Sequence, residues 1–451
     1  MRKIIQYMMM ALIAVVLASC ANDISEESTP TVKSNIRFVV DDFPMFEKPS
    51  TRTIGEEDKG KTAWAVGDEI CIKLESKELG TQTATLKYNG VKFEIQDGNS
   101  LCYLDGEPVT AYAYYAPGRK WLNDGYLGYK DGERDGTAEF LEATCTVHYG
   151  DDNYIDISFA NVTRNYSRLR IATMPNKPIT VDTEYFTPAG SSDMEQNGIY
   201  TLTSDENGNA YLYGTFENNS EVTVKYREAA LTTYTFSQAT ESAKSYALDA
   251  TVISANSAEE IKSAIEQKVA DGKTTIRLNL APNAGTDEFM AIREAIKGAA
   301  PNDEGTIELT IIGVETIPEE AFYKMSQLKS VKMPNVKEIK KYAFSECRYL
   351  TVVEAPSLNK LNSGAFNECY LLSKLTFGPI NYADARYWPI FEDITPNIDL
   401  ILSDYQKEMI ETDDDLYTAN NDIDYADSNK HWNKNFLGRE FKSITCRFKV
   451  E

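Results

Sequence analysis

Few residues in this chain are spaced to do chemistry, and those that come nearest argue against it. Gly55-Glu56-Glu57-Asp58-Lys59-Gly60-Lys61-Thr62 fits the letters of a phosphate-binding loop. Such a loop aims backbone amides and a helix N-terminus at phosphate, so it needs an apolar strand before it and a helix after it. Here Pro49 to Thr53 comes before, an expected strand follows, and three carboxylates sit where phosphate charge would go. The run therefore reads as a loop without phosphate. Asp413, Asp414 and Asp415, with Asp422, Asp424 and Asp427 beyond them, suggest calcium by composition, but the second run lacks the glycine and the distal glutamate of a calcium loop. No metal set is assigned. His148 and His431 are the only imidazoles, and none of the cysteines forms a Cys-x-x-Cys, which leaves zinc binding and His-based catalysis without a footing. A pair of carboxylates acting on a polysaccharide stays open as the enzymatic alternative, because distant acids can converge in a fold. The expectation is no enzyme, no catalytic residue and no cofactor.

What remains is binding, and the N-terminus and the charge bear on where. Arg2 and Lys3 precede an apolar stretch from Ile4 to Leu17 broken only by Gln6 and Tyr7. It is shorter than the ~20 residues of a membrane span, and Ala18 and Ser19 supply a small-residue cleavage site, so residues 1–19 read as a signal peptide. Leu17-Ala18-Ser19-Cys20 resembles the lipobox of bacterial lipoproteins. The resemblance implies cleavage before Cys20 and diacylglycerol on its sulfur; a plain secretory signal with an incidental cysteine is the alternative. Residues 20–34 are polar and acidic, too poor in apolar groups to order themselves, and read as a lipidated tether. In the exported Gram-negative lipoproteins that this resembles, acidic residues after the lipidated cysteine direct display on the outer surface. An outer-membrane, lipid-anchored, surface-exposed location is implied, with the lipid as the sole membrane contact. The formal net charge of −23 would be repelled by phosphate backbones, which removes nucleic acid as a partner.

The strongest pattern lies between Ile317 and Leu372, where the sequence repeats every 22 residues. Ile317, Ile339 and Leu361 fall in one register; Ala321, Ala343 and Ala365 in a second; Phe322, Phe344 and Phe366 in a third; Leu328, Leu350 and Leu372 in a fourth. A period in the twenties predicts stacked coils with one short strand and one turn of helix each, every coil covering the apolar face of the last. Pro334 and Pro356 mark the strand exits, and a small alanine beside each phenylalanine leaves room for one inward ring per coil. These residues resemble the BspA-like leucine-rich repeats, with their Ile-x-x-x-Ala-Phe-x-x-Cys-x-x-Leu. The middle unit carries it fully with Cys347, the last has Cys369 with Leu361 in place of Ile, and the first has Met325 in the Cys position. The family implies that the cysteine faces the core; if the coils stack, Cys347 and Cys369 become neighbours, and either a disulfide or two buried thiols would fit.

A solenoid needs caps. Ser257 and Glu260 form a capping box ahead of Ile261, Ile265 and Val269, with Gly272 as a stop, and this predicts a helix. A strand over Thr275 to Leu280, a helix near Asp287 to Ala299 and a strand over Ile307 to Ile312 should follow in parallel pairing. Downstream, Ile398 to Leu402 reads as a late strand, Ser403 to Ile410 as a helix, Glu411 to Lys430 as a loop, and the alternating Ile444, Cys446, Phe448 and Val450 as a last strand that caps the stack or is donated to a neighbour.

From Asn35 to Ser254 the pattern is of short alternating runs: Glu69 to Leu74, Gln82 to Tyr88, Val109 to Tyr115, Tyr154 to Phe159, Ser167 to Ile171, Ala210 to Phe216, Glu221 to Arg227 and Tyr246 to Ile253. Many short strands punctuated by turn residues predict an all-β sandwich region, divided into two lobes near residue 165. Thr51-Arg52-Thr53, Trp64-Ala65-Val66-Gly67-Asp68 and Ala111-Tyr112-Ala113-Tyr114-Tyr115 occur in the order seen in fimbrillin-like proteins, which this region resembles; Asn161 stands where that family commonly has His. The resemblance implies that Ile36 to Val40 is a removable first strand, with Arg52 the cleavage point, and that another subunit's strand fills the groove. Arg52 as a solvated loop residue is the alternative.

The fold class that follows is multidomain: residues 35–254 a fimbrillin-like β-sandwich region, residues 255–451 an α/β leucine-rich-repeat domain with caps at both ends. The expected function is that of a cell-surface lipoprotein that binds a protein or glycan, in adhesion, through the repeat face. A fimbrial tip or anchor subunit assembled with other subunits by strand addition is the second reading, and a polysaccharide-processing enzyme the third. If Val331, Met333, Val353 and Ala355 point inward, strand alternation turns Ser330, Lys332, Val352 and Glu354 outward as the contact positions.

Overall fold

Alternation such as Glu221-Val222-Thr223-Val224-Lys225-Tyr226 buries one side of a strand and leaves the other partly in water, and most of the first 250 residues are built this way. The computed structural model describes residues 32–47, 60–403 and 435–448, apart from 35, 97–99, 124, 151, 160–163, 256, 384–388, 392–393, 395–396 and 438. The first lobe is a seven-stranded sheet in the order Arg37–Val40, Tyr154–Ser158, Leu141–His148, Val109–Tyr115, Glu69–Ser76, Gly80–Tyr88, Phe93–Ile95. It is antiparallel except where Arg37–Val40 runs parallel to Tyr154–Ser158, and it curls until its two end strands approach, a nearly closed sandwich around Ile70, Ile72, Leu86, Ile155 and Ile157. In the second lobe the order is Ala229–Thr235, Glu221–Tyr226, Pro178–Pro188, Asn209–Phe216, Ser167–Ala172, Ser245–Asp249, with Glu195–Thr203 also paired to Pro178–Pro188. Here too the first strand, Ser167–Ala172, lies parallel to the last, Ser245–Asp249.

The structure departs from the sequence reading at both ends of this region. Val32–Lys33, assigned to the tether, pairs with Tyr103–Leu104, and Lys33 lies 3.7 Å from Asp105. The expected strand Tyr246 to Ile253 is broken by Ala250 to Val252, and Ile253–Ser254 already belongs to the solenoid, parallel to Thr275–Asn279. Residues 41–47 cross from one lobe to the other: the Glu47 amide donates to the Ala243 carbonyl at 2.8 Å, and the Ser245 amide to the Glu47 carbonyl at 2.9 Å.

The C-terminal part winds around two parallel sheets. The larger has eight strands, Ile253–Ser254, Thr275–Asn279, Ile307–Ile312, Leu328–Lys332, Val352–Ala355, Lys374–Phe377, Asp399–Ser403 and Ser443–Phe448; the smaller has four, Thr316–Ile317, Glu338–Ile339, Lys360–Leu361 and Tyr382–Ala383. Helices α1 (Ala258–Ala270) and α2 (Thr286–Ala299) cap the start. The Ser257 hydroxyl accepts the Glu260 amide at 3.2 Å, and Gly272 at φ +75° turns the chain out of α1, as a left-handed glycine does most cheaply. The late strand and the final strand are paired parallel to each other. Ser403, expected to open a helix through Ile410, instead ends the strand Asp399–Ser403; residues 404–410, the expected loop Glu411 to Lys430 and both aspartate runs lie outside the described residues.

One expectation about the coils fails. The third side of each coil is not a turn of helix, because residues at matching positions take left-handed backbone: Glu320, Tyr342 and Gly364, then Lys324, Glu346 and Glu368, with φ between 54° and 65°. A right-handed helix cannot contain them. Their neighbourhood bonds between coils instead: the amides of Glu320, Phe322 and Lys324 donate to the carbonyls of Lys341, Ala343 and Ser345 at 3.0, 2.7 and 3.0 Å. Helical turns would keep these amides within a coil and leave the next coil's carbonyls without donors.

Candidate functional site

The twelve repeat positions named from the sequence, Ile317, Ala321, Phe322, Leu328, Ile339, Ala343, Phe344, Leu350, Leu361, Ala365, Phe366 and Leu372, all lie in one buried cluster. The phenylalanines form a column. Ring centroids from Phe289 of α2 through Phe322, Phe344 and Phe366 to Phe391 are 5.6, 5.1, 5.4 and 5.6 Å apart, and Phe441 closes it edge-on at 5.8 Å. Phe289 also meets Phe322 edge-on, while the three contacts between Phe322 and Phe391 are stacked, and both arrangements add to what burial alone gives each ring.

The cysteines of the motif have a role that the sequence did not disclose. The Cys347 thiol donates to the Phe322 carbonyl at 3.0 Å and the Cys369 thiol to the Phe344 carbonyl at 3.1 Å, each reaching back one coil. Both are free thiols, so the disulfide alternative is not formed. Burial pushes the Cys347 thiol up to about 12 and holds Cys369 well above its ordinary value, which suits a donor and not a nucleophile.

The inward strand positions Val331, Met333, Val353 and Ala355 are fully buried. Opposite them, the register aligns Ser330 with Val352 and Lys374, and Lys332 with Glu354 and Thr376. Lys332 is exposed, while Ser330, Val352 and Glu354 are half-buried. The charges on this face alternate and pair: Lys329 with Glu308 at 2.8 Å, Lys332 with Glu354 at 3.4 Å, Lys374 with Glu354 at 4.0 Å, and Lys442 with Asp399 at 3.0 Å. A chain of strong net negative charge thus presents a nearly neutral face here. Its start is covered by the second β lobe, for Ile312 packs into that lobe's core and the buried Arg277 donates from Nε to the Leu231 carbonyl at 2.6 Å, with Asp249 at 4.0 Å. Arg277 and Ile312 were not singled out in the sequence; a charged residue inside an otherwise apolar strand, Ile276-Arg277-Leu278, was the available signal.

Residues 306–387 match the BspA type leucine-rich-repeat region, in six copies. Stacked coils of this kind present an extended surface, and among the described residues no three His, Cys, Asp or Glu side chains gather as a metal site. No curated protein matches the chain. Two solved structures are similar to it at 11% identity: a candidate cell adhesion protein from Bacteroides fragilis, covering 48% of this chain and 92% of that one with a TM-score of 0.25, and a minor pilin of Streptococcus agalactiae, covering 48% and 94% with a TM-score of 0.15. Likeness at these scores fixes neither fold nor role.

In the β lobes, the residues of the sequence motifs are structural. Lys61 of the phosphate-loop lookalike pairs with Asp68, donates to the Tyr115 hydroxyl at 3.1 Å and lies against the rings of Phe43, Trp64 and Tyr115; the strand Glu69–Ser76, not a helix, comes next. In Trp64-x-x-Gly67-Asp68, Gly67 at φ +97° makes the turn, Asp68 accepts the Ala65 amide at 2.6 Å, and the Trp64 indole donates to the Asp41 carbonyl at 2.7 Å. That motif clasps the first strand. Cys20 and Arg52 lie outside the described residues.

Proposed function

We propose that this chain is a lipoprotein held at the outer membrane by lipid on Cys20 and displayed at the cell surface, where the outer face of its repeat sheet binds a protein or a glycan. One observation carries the reading: from Leu328–Lys332 onward, beyond the cover of the β lobe, the sheet presents aligned residues, one per coil, with strands about 4.8 Å apart. Ser330, Lys332, Val352 and Glu354 stand at the uncovered start of it. A regular, near-neutral face with paired charges favours an extended partner over a small charged ligand. The test is binding of the mature chain to immobilised matrix proteins and bacterial polysaccharides. Ser330→Trp and Val352→Arg, which obstruct the face from outside the core, should each weaken capture at least about tenfold; capture undiminished in both removes this face from the function.

A second reading, a fimbrial tip or anchor subunit, draws support from the first strand. Arg37–Val40 sits at the sheet edge, parallel to Tyr154–Ser158, and sends Phe38 into the lobe core, where Phe43 and Phe46 of its continuation join it. Cleavage after Arg52 would leave that segment held by non-covalent contacts alone, ready for exchange with another subunit's strand. N-terminal sequencing of surface-exposed protein and unboiled gels decide it: a single start at Cys20 and no polymer ladder rule the exchange out.

A further inference from the structure

A groove on the outer face of the first lobe, unrelated to the repeat sheet, combines features that no structural need accounts for. The hairpin Arg119–Trp121 with Leu127–Tyr129 folds over the sheet face that carries Lys73 and Tyr114 and leaves a groove of about 230 Å³ lined by Lys73, Tyr114, Arg119, Trp121, Tyr126 and Phe140. Three large side chains of this short hairpin stay in water: Tyr126 at 72% exposure, Leu122 at 43% and Tyr129 at 43%. Single exposed apolar residues are ordinary, but several together mark a contact site. The rings are also held still. The Trp121 indole spends its only donor on the Ala84 carbonyl at 2.8 Å, Tyr114 packs edge-on to Trp121 at 6.4 Å and stacks on Phe140 at 5.8 Å, and the Arg119 guanidinium lies 4.3 Å over Phe140.

We propose that this groove is a subsite for one neutral pyranose ring of a glycan. The negative face of an aromatic ring attracts the C–H face of a sugar, and a pre-positioned ring gains this contact at little entropic cost. The groove is smaller than the ~300–1,000 Å³ pockets that take drug-sized ligands, which suits a single ring with the rest of the oligosaccharide running along the open hairpin. Neutrality follows from the cations: Lys73 is paired with Glu75 at 2.7 Å and Arg119 with Asp135, so neither offers an uncompensated charge to a uronic or sialic acid. The Tyr114 hydroxyl stays protonated and adds no charge to the groove, since burial, the nearby Glu142 carboxylate and the hydrogen bond it donates to Glu142 push it up to about 12.

The experiment titrates the full mature chain with cellopentaose, maltopentaose and mannopentaose, and with oligogalacturonate as the acidic arm, by calorimetry. At least one neutral oligosaccharide should bind, and Tyr126→Ala should weaken it about tenfold or more with no change in Tm, the side chain being largely in water. Trp121→Ala removes both the platform and the Ala84 bond, so Trp121→Phe is run beside it and should restore part of the binding. Absence of binding by all three neutral sugars, affinity unmoved by Tyr126→Ala, or a preference for oligogalacturonate would each overturn the proposal. Ser330→Trp leaves this groove untouched, so its outcome on the repeat face is read separately.

Discussion

The β lobes and the repeat region bury comparable apolar side chains, yet they close their cores in opposite ways. In the solenoid each repeat strand lies beside its counterpart one coil further along the chain, so Ser330 meets Val352 and Glu338 meets Lys360. In the lobes the first strand waits for the last, and Arg37 pairs with Tyr154. The two regions also treat charge differently. Ion pairs on the repeat face stand in water, whereas the lobes bury Arg164 at 3% exposure against Glu139 at 8%, with Nε to Oε1 at 3.0 Å. The lesson is that a locally closed stack can rely on apolar rings alone, while a fold closed over long distances also uses buried polar clasps to fix which strand goes where.

The comparison is tested hardest at the centre of the phenylalanine column. Phe344→Ala removes a fully buried ring stacked on both sides and should cost about 3–5 kcal/mol. Because neighbouring coils bury each other, the loss should unfold the repeat region at lower urea than the lobes and split one transition into two. Near-ultraviolet circular dichroism against urea would show it. If the chain keeps a single, barely shifted transition, the column does not hold the stack.

Arg164→Ala asks the same of the lobes. It strips the cation from a carboxylate that burial already holds above its ordinary range, and removing one partner of a buried pair costs about 3 kcal/mol or more. Glu139 protonates more readily in the folded chain than in the unfolded one, so folding takes up a proton and stability falls as pH rises above the ordinary carboxylate value. Without Arg164 this is steeper. The urea deficit should therefore be greater at pH 7 than at pH 5; a deficit that grows toward acid contradicts the buried clasp.

The same contrast explains what could be read from the residues alone. Phe322, Phe344 and Phe366 recur at one spacing, and that spacing is itself the geometry of the stack, so coil, core and cap helix α1 were legible. Strands such as Leu141–His148, Pro178–Pro188 and Glu195–Thr203 were missed because their outward faces are rich in Thr, Glu and Asn, and the parallel closure of each lobe leaves no local mark. The left-handed side of each coil was hidden for another reason: Glu320, Tyr342 and Glu346 are residues that rarely take φ > 0, and only the bonds to the next coil hold them there. Outward positions of the repeat sheet followed from alternation, but their pairing into a neutral ladder and the cover provided by the second lobe depend on contacts between distant segments.

A cap tests the join between the two regions. Ser257→Ala removes the hydroxyl that accepts the Glu260 amide and should cost about 1 kcal/mol. Helix α1 also reaches the second lobe, where Lys268 donates to the Thr251 hydroxyl at 2.6 Å. Hydrogen exchange should therefore rise first in α1 and next around Thr251, leaving the coils beyond Ile317 protected. Uniform loss of protection would mean that the stack depends on its cap more than its column does the work of holding it.

The smallest effect is expected on the face proposed to bind. Lys332→Ala removes a contact in which the lysine is 49% exposed and Glu354 31% exposed, and Glu354 keeps Lys374 at 4.0 Å. Exposed pairs of this kind contribute about 0–1 kcal/mol and fade with salt, so the urea midpoint should hardly move, and less still at high ionic strength. A small stability effect at this position is what makes it usable for recognition, because side chains there can change without unwinding the coils. Lys332→Glu sharpens the point by placing like charges on adjacent strands: stability should drop slightly at low salt and recover in high salt. A loss well above about 1 kcal/mol that persists in salt would instead make the ladder part of the scaffold, and the division between a core that holds and a face that is free to vary would no longer stand.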